Sequence, residues 1–288
     1  MSAAPVERAP AKINLTLRVL GRRADGYHEL ESLVAFAGLA DTLSLQPADA
    51  VSLDISGPFA AACGPPAGNL VLKAAAALRE RVGGLKAGHF RLDKTIPVAG
   101  GLGGGSADAA AALRLLARLN GLAVHDPRLA DAALAVGADV PVCLDPRPRI
   151  MRGIGEKLSP PVGLPRLAAV LVNPGVPLAT RDVFAAFAGT PKSKDSLGVV
   201  PRDMDGLIAF LRRHDNDLTE AAIARAPAVA EVLEVLHVLP GLLLARMSGS
   251  GPTCFALFAS ESEVSAAAQH LRTERNDWWV HGGRIGGP

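Results

Sequence analysis

The stretch PVAGGLGGGSADAAAALRLLARLN, from Pro97 to Asn120, puts glycine at five of the six positions between Gly100 and Gly105 and follows them at once with an alanine-rich helical pattern. Glycine loses more conformational freedom on ordering than any other residue, so a run this dense needs a reason beyond turning the chain. A helix N-terminus supplies one: without Cβ atoms the backbone approaches a phosphate closely, its N-H groups point inward, and the helix dipole adds partial positive charge. Upstream, HFRLDKTIP reads as a strand. Downstream, Ser106 is expected to cap a helix from Ala107 to Asn120, closed by Gly121. The order strand, glycine loop, helix is that of a phosphate site.

Two familiar phosphate loops fail letter by letter. Gly100 and Gly105 satisfy the outer spacing of GxxxxGK[ST], but Ser106-Ala107 stands where Lys-Ser/Thr is required, so this is no Walker A loop. The pattern GxGxxG fails because Ser106 occupies the last glycine position after Gly101 and Gly103, which disfavours a Rossmann dinucleotide reader. Asp108, an acid beside a phosphate site, is expected to stabilise the helix end with its side chain turned away from the ligand.

The rest of the chain reads outward from this loop. KINLTLRVL (12–20) alternates as one strand, with Lys12, Asn14 and Thr16 on its polar face. A turn at Asp25-Gly26 leads into the strand-like ESLVAFAGLADTLSLQ. Asn69 is placed to cap LVLKAAAALRERV, which Gly83-Gly84 ends. DPRLADAALAVGADVP is a further helix ending near Gly137, and RPRIMRGIGEKL a strand and turn. The prolines and glycine between Ser159 and Arg166 mark a domain seam, giving domains 1–160 and 161–288. Beyond it LAAVLVNPG is a buried strand, RDVFAAF, MDGLIAFLRRH, DLTEAAIARA and PAVAEVLEVLHVL are helices, and TPKSKDSLGVVP (190–201) is a polar loop. RMSGSGPTCFALF is a glycine loop entering a strand; ESEVSAAAQHLRTE and DWWVHGGRI are the last helix and strand. Trp278-Trp279 is expected to close the second core.

Composition narrows the function. At 288 residues and a formal net charge of +2, with no basic tail or stripe, nucleic acid is not an expected partner. No run approaches the roughly 18 apolar residues of a membrane span, and the first residues lack an apolar signal core, so a cytoplasmic protein is expected. Three widely spaced cysteines without CxxC fit reduced thiols, and seven histidines without HxH or HExxH give no metal ligand set.

The glycine stretch resembles the ATP loop of the GHMP kinases, a proline- and glycine-rich segment followed by a pair of adjacent hydroxyl residues. Here it is Pro97-Val98-Ala99-Gly100-Gly101-Leu102-Gly103-Gly104-Gly105-Ser106-Ala107, with Ala107 where the family carries a second hydroxyl. PAKINLTL (10–17) resembles the family's first motif, and RMSGSGPTCFALF its third, whose loop Gly249-Ser250-Gly251-Pro252 packs against the phosphate loop. The resemblance implies an α+β fold of two domains, the N-terminal one like ribosomal S5 domain 2 and the C-terminal one ferredoxin-like. It implies ATP as co-substrate and Mg2+, with Ser106 the candidate hydroxyl. The longer signature PAKINLTLRVLGRRADGYHEL, with GADVP, RGIGEKL and Asn216-Asp217-Leu218, is similar to the branch whose small-molecule acceptor is a cytidine diphosphate-linked methylerythritol.

Phosphoryl transfer needs in-line positioning, charge neutralisation and a carboxylate to accept the hydroxyl proton. Asp139 is the expected carboxylate, and Lys12 matches the family's catalytic lysine. Tyr27 and His28 set a flat ring beside a hydrogen-bonding imidazole, and the resemblance implies that they read the cytosine. Asn14, on the face of Lys12, and Thr180 are expected substrate contacts; Asn69 and Lys94 are expected nucleotide contacts. Two alternatives stay open: a kinase of the same superfamily for homoserine or mevalonate, and a nucleotide-binding module without catalysis. The sequence leaves monomer or homodimer undecided.

Overall fold

The computed structural model describes residues 4–189 and 196–286; the first half of the polar loop expected at 190–201, residues 190–195, lies outside them. In chain order the elements are β1 (Val6–Asn14), β2 (Arg18–Arg22), β3 (His28–Pro47), β4 (Ser52–Ser56), α1 (Leu70–Arg81), β5 (Gly88–Asp93), α2 (Gly104–Leu119), α3 (Pro127–Val136) and α4 (Val140–Leu144). There follow β6 (Arg149–Gly153), β7 (Lys157–Leu158), β8 (Leu167–Asn173), α5 (Thr180–Ala186), α6 (Met204–Arg213), α7 (Thr219–Arg225), α8 (Ala228–His237), β9 (Leu242–Met247), β10 (Cys254–Phe258), α9 (Glu261–Glu274) and β11 (Trp279–Ile285).

These elements gather into two compact units, neither of them one continuous stretch: residues 4–12, 39–98 and 103–146 form the first, and 13–38, 99–102, 147–189 and 196–286 the second. In the first, the C-terminal part of β3 pairs antiparallel with β5, from Thr42 opposite Asp93 to Pro47 opposite Gly88, and β4 runs parallel to β5. Helix α2 packs on α1 and α4, and α3 on α1. Ala109 to Leu113 are all fully buried, so this part of the helix is covered around its whole circumference, as a central helix must be. Asn69 caps α1 as expected, its Oδ1 accepting from the Val71 amide at 2.9 Å.

In the second unit β8 lies between β11 and β10, and β10 pairs with β9, all antiparallel. Every residue of β8 and of β10 is buried, which is why both read as continuous apolar runs rather than alternating ones. The N-terminal part of β3 pairs with β2 and β6. One core joins Val170, Val172, Ala256 and Phe258 to Val229, Val232 and Leu236 of α8 and to Leu271 of α9. Trp278 enters that core, whereas Trp279 is half-buried and stacks on His281. Helix α9 covers the residues read for it and carries a full capping box between Ser260 and Glu263.

Three readings are corrected. The single strand expected over 12–20 is two, because β1 starts at Val6 and ends at Asn14, and residues 9–17 are buried on both faces. Ser106 does not cap α2: the helix begins one turn earlier, at Gly104, and its N-cap is Gly103 in the left-handed conformation at φ 60°, which a side chain adopts only under strain. Asp108 does not turn outward. It is 2 % exposed, and its carboxylate binds Lys94.

Candidate active site

In the first unit the end of β5, the N-terminus of α2, the end of β1 and the α3–α4 turn supply the chemistry. The first intrahelical bond of α2 runs from the Ala107 amide to the Gly103 carbonyl at 2.9 Å. The amides of Gly104, Gly105 and Ser106 precede it and have no partner within the helix, so they are available to an anion on the dipole's positive end.

Each glycine has its own requirement. A Cβ on Gly103 would stand 3.2 Å from Lys12 Cβ and Cε, so the lysine stem lies directly against the N-cap. A Cβ on Gly104 would meet Lys94 Nζ and Ile96 Cγ2, both at 3.1 Å, and one on Gly105 would meet Leu70 at 3.3 Å. Gly101, in the second unit, has φ 73°, and a Cβ there would come within 2.6 Å of the Ser248 carbonyl and 2.7 Å of that of Gly251. Each of these glycines is therefore needed for close packing within its own unit.

Lys12, at 4 % exposure, donates to Asp139, with Nζ 2.9 Å from Oδ2. Asp139 is the residue before α4, in the short turn that Gly137 opens after α3. The structure thus brings together the ammonium and carboxylate that the sequence nominated, beside the first turn of α2. Lys94 sits elsewhere: it is 3 % exposed and closed in by the carboxylates of Asp41 and Asp108.

In the second unit the third-motif loop holds the stretch 99–102 from its own side. The Thr253 amide donates to the Gly100 carbonyl at 3.2 Å, and Ser248 Oγ to the Gly101 carbonyl at 3.1 Å. Ser248 Oγ also accepts from the Asn14 amide, and Asn14 Nδ2 donates to Ser32 Oγ at 2.7 Å. The Asn216-Asp217-Leu218 segment secures the same loop, Asn216 Nδ2 donating to the carbonyls of Met247 and Gly249. Buried Arg246 donates to the carbonyls of Leu15, His214 and Leu211 and to Asp215. Thr180 Oγ1 lies 2.9 Å from Ser250 Oγ.

Tyr27 is 60 % exposed, presented by a turn in which the Arg23 amide donates to its carbonyl and Asp25 accepts from its amide. The adjacent His28 starts β3 and stacks on Phe184, with ring centroids 5.1 Å apart at 25°, while Phe187 meets it edge-on at 6.2 Å. Burial, and secondarily Arg22, lower the His28 pKa, so the imidazole is neutral at pH 7. Phe184 and Phe187 were not singled out from the sequence. Two phenylalanines three residues apart, one on α5 and the other its C-cap, in a chain with only eight, are the signal that could have found them.

Among the described residues no helix is long and apolar enough to cross a membrane, and no group of three or more His, Cys, Asp or Glu could hold a metal. Ser106 lies in the first turn of α2 and carries a hydroxyl, a hard oxygen of the kind that suits Mg2+ held mainly by nucleotide phosphates.

Comparison with known proteins finds relatives over nearly the whole chain. Residues 69–145 match the GHMP kinases N terminal domain, and residues 199–277 the GHMP kinases C terminal. The chain is 54 % identical to the 4-diphosphocytidyl-2-C-methyl-D-erythritol kinase of Rhodopseudomonas palustris (strain BisB5), over 97 % of this chain and 98 % of that protein. It is also 54 % identical to the protein of that name from Methylorubrum extorquens, over 96 % and 98 %. A solved structure of 4-(cytidine 5'-diphospho)-2C-methyl-D-erythritol kinase superposes with a TM-score of 0.77 at 35 % identity, covering 99 % of this chain and all of that one. Homoserine kinase from Cytophaga hutchinsonii shares the fold, with a TM-score of 0.72 at 18 % identity over 100 % and 96 % of the two chains.

Proposed function

The chain belongs to the GHMP kinases, and from that membership we propose that it is the ATP-dependent kinase that phosphorylates the 2-hydroxyl of 4-diphosphocytidyl-2-C-methyl-D-erythritol, a step of non-mevalonate isoprenoid synthesis. The full-length relatives at 54 % identity support that acceptor. The observation that carries the mechanism is the 2.9 Å contact between Lys12 Nζ and Asp139 Oδ2 beside the N-terminus of α2.

Asp139 takes the proton of the acceptor hydroxyl as its oxygen attacks the γ-phosphorus; the new O–P bond forms while the bond to the β-phosphate oxygen breaks and ADP leaves. Lys12 orients the carboxylate and offsets charge on the transferred group. The amides of Gly104, Gly105 and Ser106 hold the phosphate chain, within the loop from Pro97 to Ala107. Mg2+, bound through the phosphates and Ser106, would neutralise charge on the triphosphate. Tyr27 and the neutral His28 bind the cytosine, with Phe184 extending the aromatic platform. Asn14 and Thr180 contact the acceptor, and Asn69 the nucleotide. Lys94, enclosed by two carboxylates, contributes from beneath the loop. The division into domains 1–160 and 161–288, a cytoplasmic location, a monomer or homodimer and the absence of a nucleic-acid partner complete the reading.

ATP consumption by the purified protein tests it. The cytidyl acceptor is expected to be strongly preferred over homoserine and mevalonate, with 31P NMR showing the 2-phosphate; equal turnover of all three would overturn the assignment.

A further inference from the structure

The buried cluster formed by Lys94, Asp41 and Asp108 joins the two ends of the glycine loop within the first unit. Lys94 follows β5 directly, and its backbone is fixed at both sides, its amide donating to the Ser56 carbonyl and its carbonyl accepting from the Phe59 amide. Its Nζ lies 2.5 Å from Asp41 Oδ2 and 2.6 Å from Asp108 Oδ2. Asp41 uses its other oxygen on the chain entering the loop, accepting from the amides of Thr95 and Ile96 at 2.5 and 2.8 Å. Asp108 belongs to the first turns of the helix leaving the loop. The ammonium itself lies under Gly104, 3.1 Å from where a Cβ would be.

All three side chains are at most 3 % exposed. Burying three charges is costly, and an apolar cluster of the same volume often stabilises a fold better, so stability alone is a poor account of the group. What an ion cluster does supply is fixed geometry in directions that apolar packing leaves loose. Phosphoryl transfer is the case in which a fixed backbone cradle matters, because catalysis there is almost entirely positioning and electrostatics.

We propose that Lys94 is a positioning residue: bridged by Asp41 and Asp108, it braces the entry and exit of the glycine loop and so preorganises the amides of α2 for the phosphates of ATP without touching the nucleotide. This rests on the kinase reading given above. It assigns to the loop's underside a role in ATP affinity that the acceptor site does not share.

Lys94→Met alone strands two buried carboxylates and is expected to unfold readily, so the informative protein is Lys94→Met/Asp41→Asn/Asp108→Leu, which removes all three charges in a volume-conserving way and keeps an oxygen at position 41 for the Thr95 and Ile96 amides. Its thermal midpoint is expected to stay near that of the parent. Amide hydrogen exchange across residues 97–106 without nucleotide should rise at least tenfold, and saturating ATP analogue should suppress it. The KM for ATP should rise at least tenfold while that of the acceptor stays within about twofold. A stable triple variant with parental exchange and parental ATP KM overturns the brace. So does a raised ATP KM with unchanged exchange, since Lys94 would then contact the nucleotide directly. If the parent protein does not phosphorylate the acceptor, the kinase reading fails, and the exchange measurement still decides the brace.

Discussion

Lys12 gives its ammonium to Asp139 across 2.9 Å, yet the two side chains differ in exposure, 5 % for the lysine and 38 % for the aspartate. Here the cation is walled in against Gly103 and the carboxylate stays open to an incoming hydroxyl. Asp139→Asn keeps the shape and removes the base. Turnover is expected to fall by about 10²–10⁴, with the ATP dissociation constant by calorimetry within a few-fold of the parent. A turnover loss below tenfold would remove Asp139 from proton transfer.

His28 and Phe184 face each other at 5.1 Å in a stacked pair, and the base-reading role predicts a selective defect. Replacing either by Ala should raise the acceptor KM by about 5–150-fold, the equivalent of about 1–3 kcal/mol of stacking, and leave that of ATP unchanged. If steady-state kinetics show both constants moving alike, these rings support the fold and do not read the base.

Gly103 and Gly121 make a matched pair for separating strain from function. Their φ angles are 60° and 64°, but a Cβ on Gly121 meets nothing within 4 Å, whereas one on Gly103 meets the Lys12 stem. Alanine at either site costs about 1–2 kcal/mol of left-handed strain. Only Gly103→Ala is expected to lower turnover beyond what the lost stability explains, because it pushes the lysine off Asp139. Urea unfolding and turnover measured on both variants check this.

What was legible in the sequence was local. Asn69 two residues before Val71, the all-apolar run of β8, and the Ser260/Glu263 spacing of α9 each lie within one element. The glycine loop read as a phosphate site from its backbone freedom ahead of a helix, while the Lys12 and Asp139 nominations leaned on motif resemblance. What was missed is non-local or conformational. Asp41 and Lys94 are separated by 53 residues and His28 and Phe184 by far more, and no periodicity links such positions. Ser106 has the chemistry of a cap, but the left-handed Gly103 admits one further helical turn and makes it unnecessary. Asp108 reads as a surface acid until the partner that neutralises it is placed.

That neutralisation is incomplete and gives the fold a pH signature. Burial dominates the environment of Asp108 and outweighs Lys94, while Asp41 also opposes ionisation; together they hold its pKa raised to about 7. Unfolded, the same carboxyl titrates near 3.8. Between these values the native state keeps a proton that the unfolded state has lost, so the stability tied to this group is fully present below the unfolded pKa and disappears as pH rises through the folded one. The slope is at most about 1.4 kcal/mol per pH unit. Lys94 cannot supply it, since its own pKa is raised and it stays charged throughout this window. Urea unfolding at pH 5, 6, 7 and 8 should therefore show the parent losing stability relative to Asp108→Asn up to about pH 7 and running parallel to it above; parallel curves across the whole range would mean that Asp108 is ionised in the native state from the start.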